Sequence, residues 1–228
     1  MSAIPVLAID GPSGSGKGTI SRQVADALGW HLLDSGALYR LLAHAAELAG
    51  VPTDDAVRLG SLARNLKVNF EQTPAGEEHI LLDGRDATRA VRSEACGARA
   101  SQLAVLPEVR AGLQALQRSF RQSPGLVADG RDMGTVIFPD AGLKIYLTAS
   151  VAERAQRRYN QLKEKGFDAN LHALLQDIAA RDERDQSRSI SPLKPADDAV
   201  LVDTTGRGIQ QVVETVMLLA RQRFIEQR

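Results

Sequence analysis

The mostly apolar run Ile4-Pro5-Val6-Leu7-Ala8-Ile9-Asp10 leads straight into Gly11-Pro12-Ser13-Gly14-Ser15-Gly16-Lys17-Gly18-Thr19. A buried strand, a glycine-rich turn and a helix starting at Lys17 together make a phosphate cradle. Glycines let the backbone curl so that several N–H groups point at one anion, and the helix start adds its positive dipole end. Lys17 supplies a full charge for the outer phosphates of a nucleoside triphosphate. The match to G-x-x-x-x-G-K is complete. The next position departs: Gly18 stands where Ser or Thr would touch a metal, and the hydroxyl comes one later at Thr19. A strand-to-helix turn without a ligand is the plainer alternative, but strand, spacing, lysine and helix all agree on the cradle.

Short apolar segments at 6–9, 31–33, 126–128, 144–147 and 200–202 read as buried parallel strands, since most lack polar alternation. Helical patterns occupy 18–28, 103–120, 150–165 and 209–224. The second carries Leu106, Val109, Leu113, Leu116 and Phe120 at helical period, and the third opens on the capping box Ser150-Val-Ala-Glu153. Strand–helix alternation predicts an α/β fold with a five-stranded parallel sheet and right-handed crossovers. The stretch from about 36 to 101 is too long for a plain crossover. It holds two expected strands, 68–70 and 79–82, around the turn-rich Thr73-Pro-Ala-Gly76. It reads as an insertion covering a substrate, with surface decoration as the alternative.

Composition narrows the partners. The 28 basic and 28 acidic residues cancel, which argues against a nucleic-acid polymer or a membrane surface. No signal peptide or spanning segment is expected, so a cytoplasmic protein, acting as a monomer, is the default. The single cysteine, Cys96, has no disulfide partner, and His31, His44, His79 and His172 show no metal-ligand spacing. No direct metal ligand is assigned.

Several constellations suggest chemistry. The second strand runs into Leu33-Asp-Ser-Gly-Ala-Leu-Tyr-Arg40 at the carboxyl end, where open α/β sheets bind ligands. Asp34 and Ser35 either meet a ligand or cap the next helix, and Arg40 points to an anion. The tetrapeptide Asp-Gly-Arg-Asp occurs twice. Asp83 to Asp86 reads as a hairpin turn, whereas Asp129 to Asp132 ends a buried strand, so that Arg131 and Asp132 face the crevice. Asp129 either holds Mg²⁺ through water or makes a structural hydrogen bond. In Arg181-Asp-Glu-Arg-Asp-Gln-Ser-Arg188, residues 181, 184, 185 and 188 share one helical face. That stripe, with Arg154, Arg157 and Arg158 before it, suits a lid closing on phosphates or a solvated ion-paired face. Many arginines without an isolated base favour a phosphate acceptor, which is already anionic. Asp34 and Asp132 keep a hydroxyl acceptor, as in a shikimate-type kinase, open. A nucleotide switch shares the cradle, but no Asn-Lys-x-Asp motif is present.

Four segments together, Gly11 to Thr19, Leu33 to Arg40, Asp129-Gly-Arg-Asp-Met-Gly-Thr135 and Arg181 to Arg188, resemble the bacterial cytidylate kinases over essentially the whole chain. The GKGT ending is what nucleoside monophosphate kinases generally show. The resemblance implies a P-loop three-layer core at 1–36 and 102–228, a CMP-binding insertion at about 37–101 and a short lid at about 154–188. It implies ATP-dependent phosphorylation of CMP and dCMP with Mg²⁺, in pyrimidine nucleotide metabolism. Gly11, Pro12, Ser13, Gly14, Ser15, Gly16, Lys17, Gly18 and Thr19 would bind ATP. Ser35, Arg40, Ser101, Arg110, Arg131, Asp132, Arg181, Asp185 and Arg188 would line the CMP site, and Lys17, Arg131, Arg158 and Arg188 would act on the transferring group. The resemblance gives the acceptor phosphate to Arg40, Arg131 and Arg188, the ribose to Arg181 and Asp185, and cytosine to Asp132, Arg110 and Ser101. A carboxylate accepts from the cytosine amine and opposes the uracil carbonyl.

Overall fold

A computed structural model describes residues 4–72, 78–164, 166, 168–188 and 190–224. The expected turn at 73–76 and the expected helix end at 165 lie outside the described residues. The chain divides into two compact units, Met1–Leu33 with Phe120–Arg228, and Asp34–Ser119.

The first unit is built on a five-stranded sheet of β1 (Val6–Asp10), β2 (His31–Asp34), β6 (Leu126–Gly130), β7 (Leu143–Thr148) and β8 (Val200–Asp203), in the order β2-β6-β1-β7-β8. β1 lies at the centre and pairs in parallel with β6 and β7, Ile9 facing Asp129 and Ile145. Every residue of β1 and of β6 is buried, which is why neither run alternates. The sequence reading expected all five strands buried, but β7 is buried only at Ile145 and Leu147, and the two outer strands are more open still. Only Leu33 of β2 and Val202 of β8 are buried, and Leu201 is 65% exposed. An edge strand has no neighbour on one side, and here one face is also left open to water. Leu7, Ile9, Val127, Ile145, Leu147 and Val202 pack with Ile20 and Val24 of α1 (Lys17–Leu28) and Val212, Val213 and Val216 of α9 (Ile209–Phe224).

Two further helices, α7 (Val151–Glu164) and α8 (Leu171–Gln186), lie between β7 and β8. The capping box before α7 is half made. Glu153 N–H donates to Ser150 Oγ at 3.1 Å, but Ser150 N–H goes to Thr205 Oγ1 and the Glu153 carboxylate to Arg157. After β6 the chain tightens into a π-helical turn, Met133–Ile137, with Phe138 N–H on Met133 O at 2.7 Å. Such turns are rare and mark functional positions disproportionately. The Asp10 carboxylate holds this one, accepting from Met133 and Gly134 N–H at 2.8 Å each.

The second unit contains α2 (Ser35–Leu48), α3 (Ala56–Arg64), α4 (Thr88–Val91), α5 (Glu94–Leu103) and α6 (Pro107–Ser119). It also holds an antiparallel sheet of β3 (Val68–Gln72), β4 (Glu78–Leu82) and β5 (Arg85–Asp86). Asp83 (φ 48°) and Gly84 (φ 76°) form the two-residue turn joining β4 to β5, with Leu82 opposite Arg85. That tetrapeptide is therefore turn chemistry. The helix expected over 103–120 starts later. α5 ends at Leu103, and α6 begins at Pro107, whose ring and missing N–H suit a first helical position and no interior one. The unit runs on to Ser119, because α6 packs on α3.

That packing depends on two small residues. A Cβ on Gly112 would lie 2.7 Å from Ala63 Cβ and 2.8 Å from Gly60 O, and one on Gly60 would lie 2.8 Å from Glu108 Cβ. Backbone cannot yield as a side-chain tip does. Gly112→Val is expected to cost about 2–3 kcal/mol by overpacking, read as a lowered urea midpoint. An unchanged midpoint would show that the two helices are free to separate.

Candidate active site

The turn after β1 depends on close approach. At Gly11 (φ +150°) a Cβ would sit 2.0 Å from the carbonyl oxygen of Leu147, so only glycine lets the loop leave the strand there. α1 then starts after Gly16 with no side-chain cap and no acidic residue in its first turn. Its first N–H groups are left for an anion. Lys17 folds back over the loop. Its Nζ donates to Pro12 O at 2.8 Å and to Ser15 Oγ at 3.5 Å, and Ser15 Oγ donates to Pro12 O at 3.0 Å.

Lys17 is buried, and burial is the main reason its pKa falls from 10.5 to about 7. The positive charge of Arg131, and to a smaller extent Arg181, pushes the same way, while Asp129 and Asp10 oppose it. Burial likewise raises Asp10 to about 6, against the two N–H groups of the π-turn that hold it down. The cradle is thus formed around a cation that its surroundings disfavour.

Two contacts from outside fix the loop's carbonyls. Arg154 of α7, 3% exposed, donates to Ser13 O at 3.0 Å, to Ala149 O at 3.0 Å and in fork fashion to Asp182. Thr204, just past β8, donates from Oγ1 to Ser15 O at 3.3 Å and is itself held by Arg157, Nη1 to Oγ1 at 3.0 Å. Arg154 and Arg157, grouped by the sequence with the lid, have protein partners and brace the loop. Arg158 reaches Gln161 Oε1 on its own helix at 3.1 Å. Sequence reasoning missed Asp182 and Thr204. The position of Asp203-Thr-Thr at a strand's carboxyl end is a signal that could have found Thr204.

The expected stripe on α8 is corrected in part. The helix ends at Gln186 and Ser187 is its C-cap, so Arg188 lies beyond it. Arg184 is exposed while its neighbour Asp185 is buried, because adjacent helical residues point about 100° apart. Asp185, 1% exposed, accepts from Arg131 Nε at 3.0 Å on one oxygen and from Arg188 Nη2 on the other. Arg131 also reaches Gly130 O at 3.2 Å. Asp132 is buried at the foot of the π-turn.

The remaining expected residues belong to the second unit. Asp34 caps α2, accepting from Ala37 N–H at 3.0 Å, so the cap reading holds for it, and Ser35 is buried as the first residue of that helix. Arg40 donates from Nη1 to Val91 O at 2.9 Å and to Ser93 O at 3.1 Å. Ser101 is buried on α5 with no hydrogen-bond partner for its Oγ among the described residues. Arg110, buried on α6, donates to Ala104 O at 3.1 Å and lies over the Tyr39 ring, 5.9 Å from its centroid. Tyr39 was not singled out in the sequence, where one aromatic beside Arg40 gives no signal.

A model of the cytidylate kinase family matches residues 7–222. The chain belongs to the cytidylate kinase family. Its relatives include the cytidylate kinases of Pseudomonas syringae pv. tomato, 58% identical over 214 residues and 93% of each chain, and of Pseudomonas aeruginosa PAO1, 57% identical over 216 residues and 94% of each chain. That of Marinomonas sp. MWYL1 is 56% identical over 212 residues, 93% of each chain. In this family member the Gly18 departure is not forced by space, since a Cβ there would lie 3.6 Å from Asp129 Oδ2, an ordinary contact. Among the described residues no helix is long and apolar enough to cross a membrane. None of their His, Cys, Asp and Glu side chains form a cluster of three or more able to hold a metal.

The Lys17 pKa sets a stability prediction. Between pH 7 and 10.5 the unfolded chain binds the proton that the folded chain has lost. The cost of burying Lys17 is therefore full below pH 7 and is relieved as pH rises toward 10. Lys17→Met is expected to stabilise the protein at pH 6 by on the order of 2 kcal/mol, with the gain shrinking by pH 9.5 in urea titrations. Destabilisation at pH 6 would contradict it.

Proposed function

We propose that this chain transfers the γ-phosphoryl group of ATP directly, in line, to the phosphate of CMP and dCMP. The observation that carries the reading is the cluster around Lys17. A complete phosphate loop holds a cation of depressed pKa, and the same unit sets Arg131 and Arg188 on one buried carboxylate. Phosphoryl transfer asks for positioning and charge stabilisation, and arginines give both while staying charged. An acceptor phosphate needs no general base. Asp34, which kept a hydroxyl acceptor open in the sequence, is engaged as a helix cap.

In this reading the backbone from Gly11 to Thr19 cradles the ATP phosphates, and Lys17 neutralises charge on the outer ones. Arg131 and Arg188, with Arg158, stabilise the transferring group. Ser101, Arg110 and Asp132 read cytosine, Arg181 and Asp185 hold the ribose, Ser35 lines the CMP site, and Arg40 takes the acceptor phosphate with Arg131 and Arg188. Mg²⁺ would arrive on the triphosphate and neutralise its oxygens. The donor set fits that, with Asp129 beside Gly18 as a carboxylate for the ion's water shell and no all-protein cage among the described residues.

A coupled ADP-release assay with CMP, dCMP, UMP and AMP tests the proposal. CMP and dCMP are expected to be the preferred acceptors, and Lys17→Met is expected to lower kcat at least about 100-fold. Preference for UMP or AMP over both cytidine nucleotides would overturn the substrate assignment.

A further inference from the structure

Arg40 is seated by α5, and the seat is made of two consecutive residues. Cys96 Sγ donates to the Arg40 carbonyl at 3.2 Å, fixing the backbone. Gly97 lies under the guanidinium. A Cβ on Gly97 would come within 2.8 Å of Arg40 Nη2, 2.9 Å of Nη1 and 3.0 Å of Cζ. The head rests flat against the bare backbone of the helix, and Nη1 reaches Val91 O and Ser93 O. Ser93 O also accepts the N–H of Gly97 at 3.1 Å, so the first turn of α5 and the arginine head share one carbonyl.

Glycine is a costly choice at this place. Gly97 lies inside a helix that carries alanine at Ala95, Ala98 and Ala100. Alanine is the better helix former, and glycine loses more conformational freedom on folding. The helix therefore gives up stability at the position that lies under the Arg40 guanidinium. Nothing in its own backbone explains this, since no positive φ is found at residue 97.

We propose that Gly97 is a positioning residue for Arg40, keeping the guanidinium at the height from which it binds the acceptor's phosphate. The proposal rests on the reading that Arg40 takes that phosphate. The atoms a methyl group would meet are the far end of a flexible side chain, so alanine at residue 97 moves the arginine head rather than the helix. Binding of the acceptor weakens while the fold holds, because the bidentate geometry of a guanidinium on a phosphate tolerates little displacement.

The test is steady-state kinetics of Gly97→Ala, Arg40→Ala and the double variant, with thermal unfolding of each. Gly97→Ala is expected to raise the KM for CMP about 5–20-fold, with the KM for ATP within about 2-fold of wild type. Its unfolding midpoint is expected to be unchanged or higher. In the Arg40→Ala background the same substitution is expected to add less than about 2-fold, because the group it displaces is gone. A CMP KM unchanged by Gly97→Ala but raised by Arg40→Ala would overturn the proposal. Full additivity in the double variant, or a fall of more than about 5 °C in the midpoint, which would mean that the helix and not the side chain had moved, would also overturn it. An unchanged CMP KM in Arg40→Ala alone would instead remove the underlying reading of Arg40.

Discussion

A lysine ammonium kept out of water by its own loop is the constraint on which the site depends. Lys17 Nζ lies 2.8 Å from Pro12 O, enclosed by the turn that follows the central strand, and its charge is disfavoured by burial and by Arg131. Asp10 and Asp129, at the carboxyl ends of adjacent strands, only partly offset that. The balance is left short of negative charge, which the proposed triphosphate would supply. Burial of the Lys17 ammonium is unfavourable on its own, and the loop that encloses it is held in shape by contacts from outside.

The support comes in a second layer of arginines. Arg154 and Arg157 spend their donors on Ser13 O, Asp182 and Thr204, and through Thr204 on Ser15 O. They hold the loop in shape. Arg131 and Arg188 share Asp185, which ties the strand end after β6 to the chain just past α8. Asp10 links two parts of this unit. It precedes the phosphate loop, and its carboxylate fixes the π-turn on which Asp132 sits.

The sheet was legible because most of its strands are short, mainly apolar runs, and four of the five end in Asp10, Asp34, Gly130 and Asp203. The cradle was legible because its spacing is fixed by backbone geometry. What the sequence concealed lay in tertiary pairing. The exposure of β8 follows from its place at the sheet edge, which no local pattern encodes. The division of labour among arginines was equally hidden. Arg154, Arg157 and Arg158 look alike in sequence, yet only partners distant in the chain, such as Asp182 and Thr204, decide which are braces. The split at Pro107 was present as a local signal that a strong helical period overrode. Asp34 is the reverse case, where a helix cap and a ligand contact make the same demand on the residue type.

The central claim, that burial in the loop disfavours the charge of Lys17 and a bound anion would restore it, has a direct calorimetric consequence. With its pKa lowered to about 7 by burial, Lys17 loses charge at pH 8, and a bound triphosphate that favours the ammonium would draw a proton from solution. Titration of ATP at pH 8 in two buffers of different ionisation enthalpy reads that proton directly. The account predicts net proton uptake on ATP binding that is lost in Lys17→Met; binding without proton exchange would contradict it.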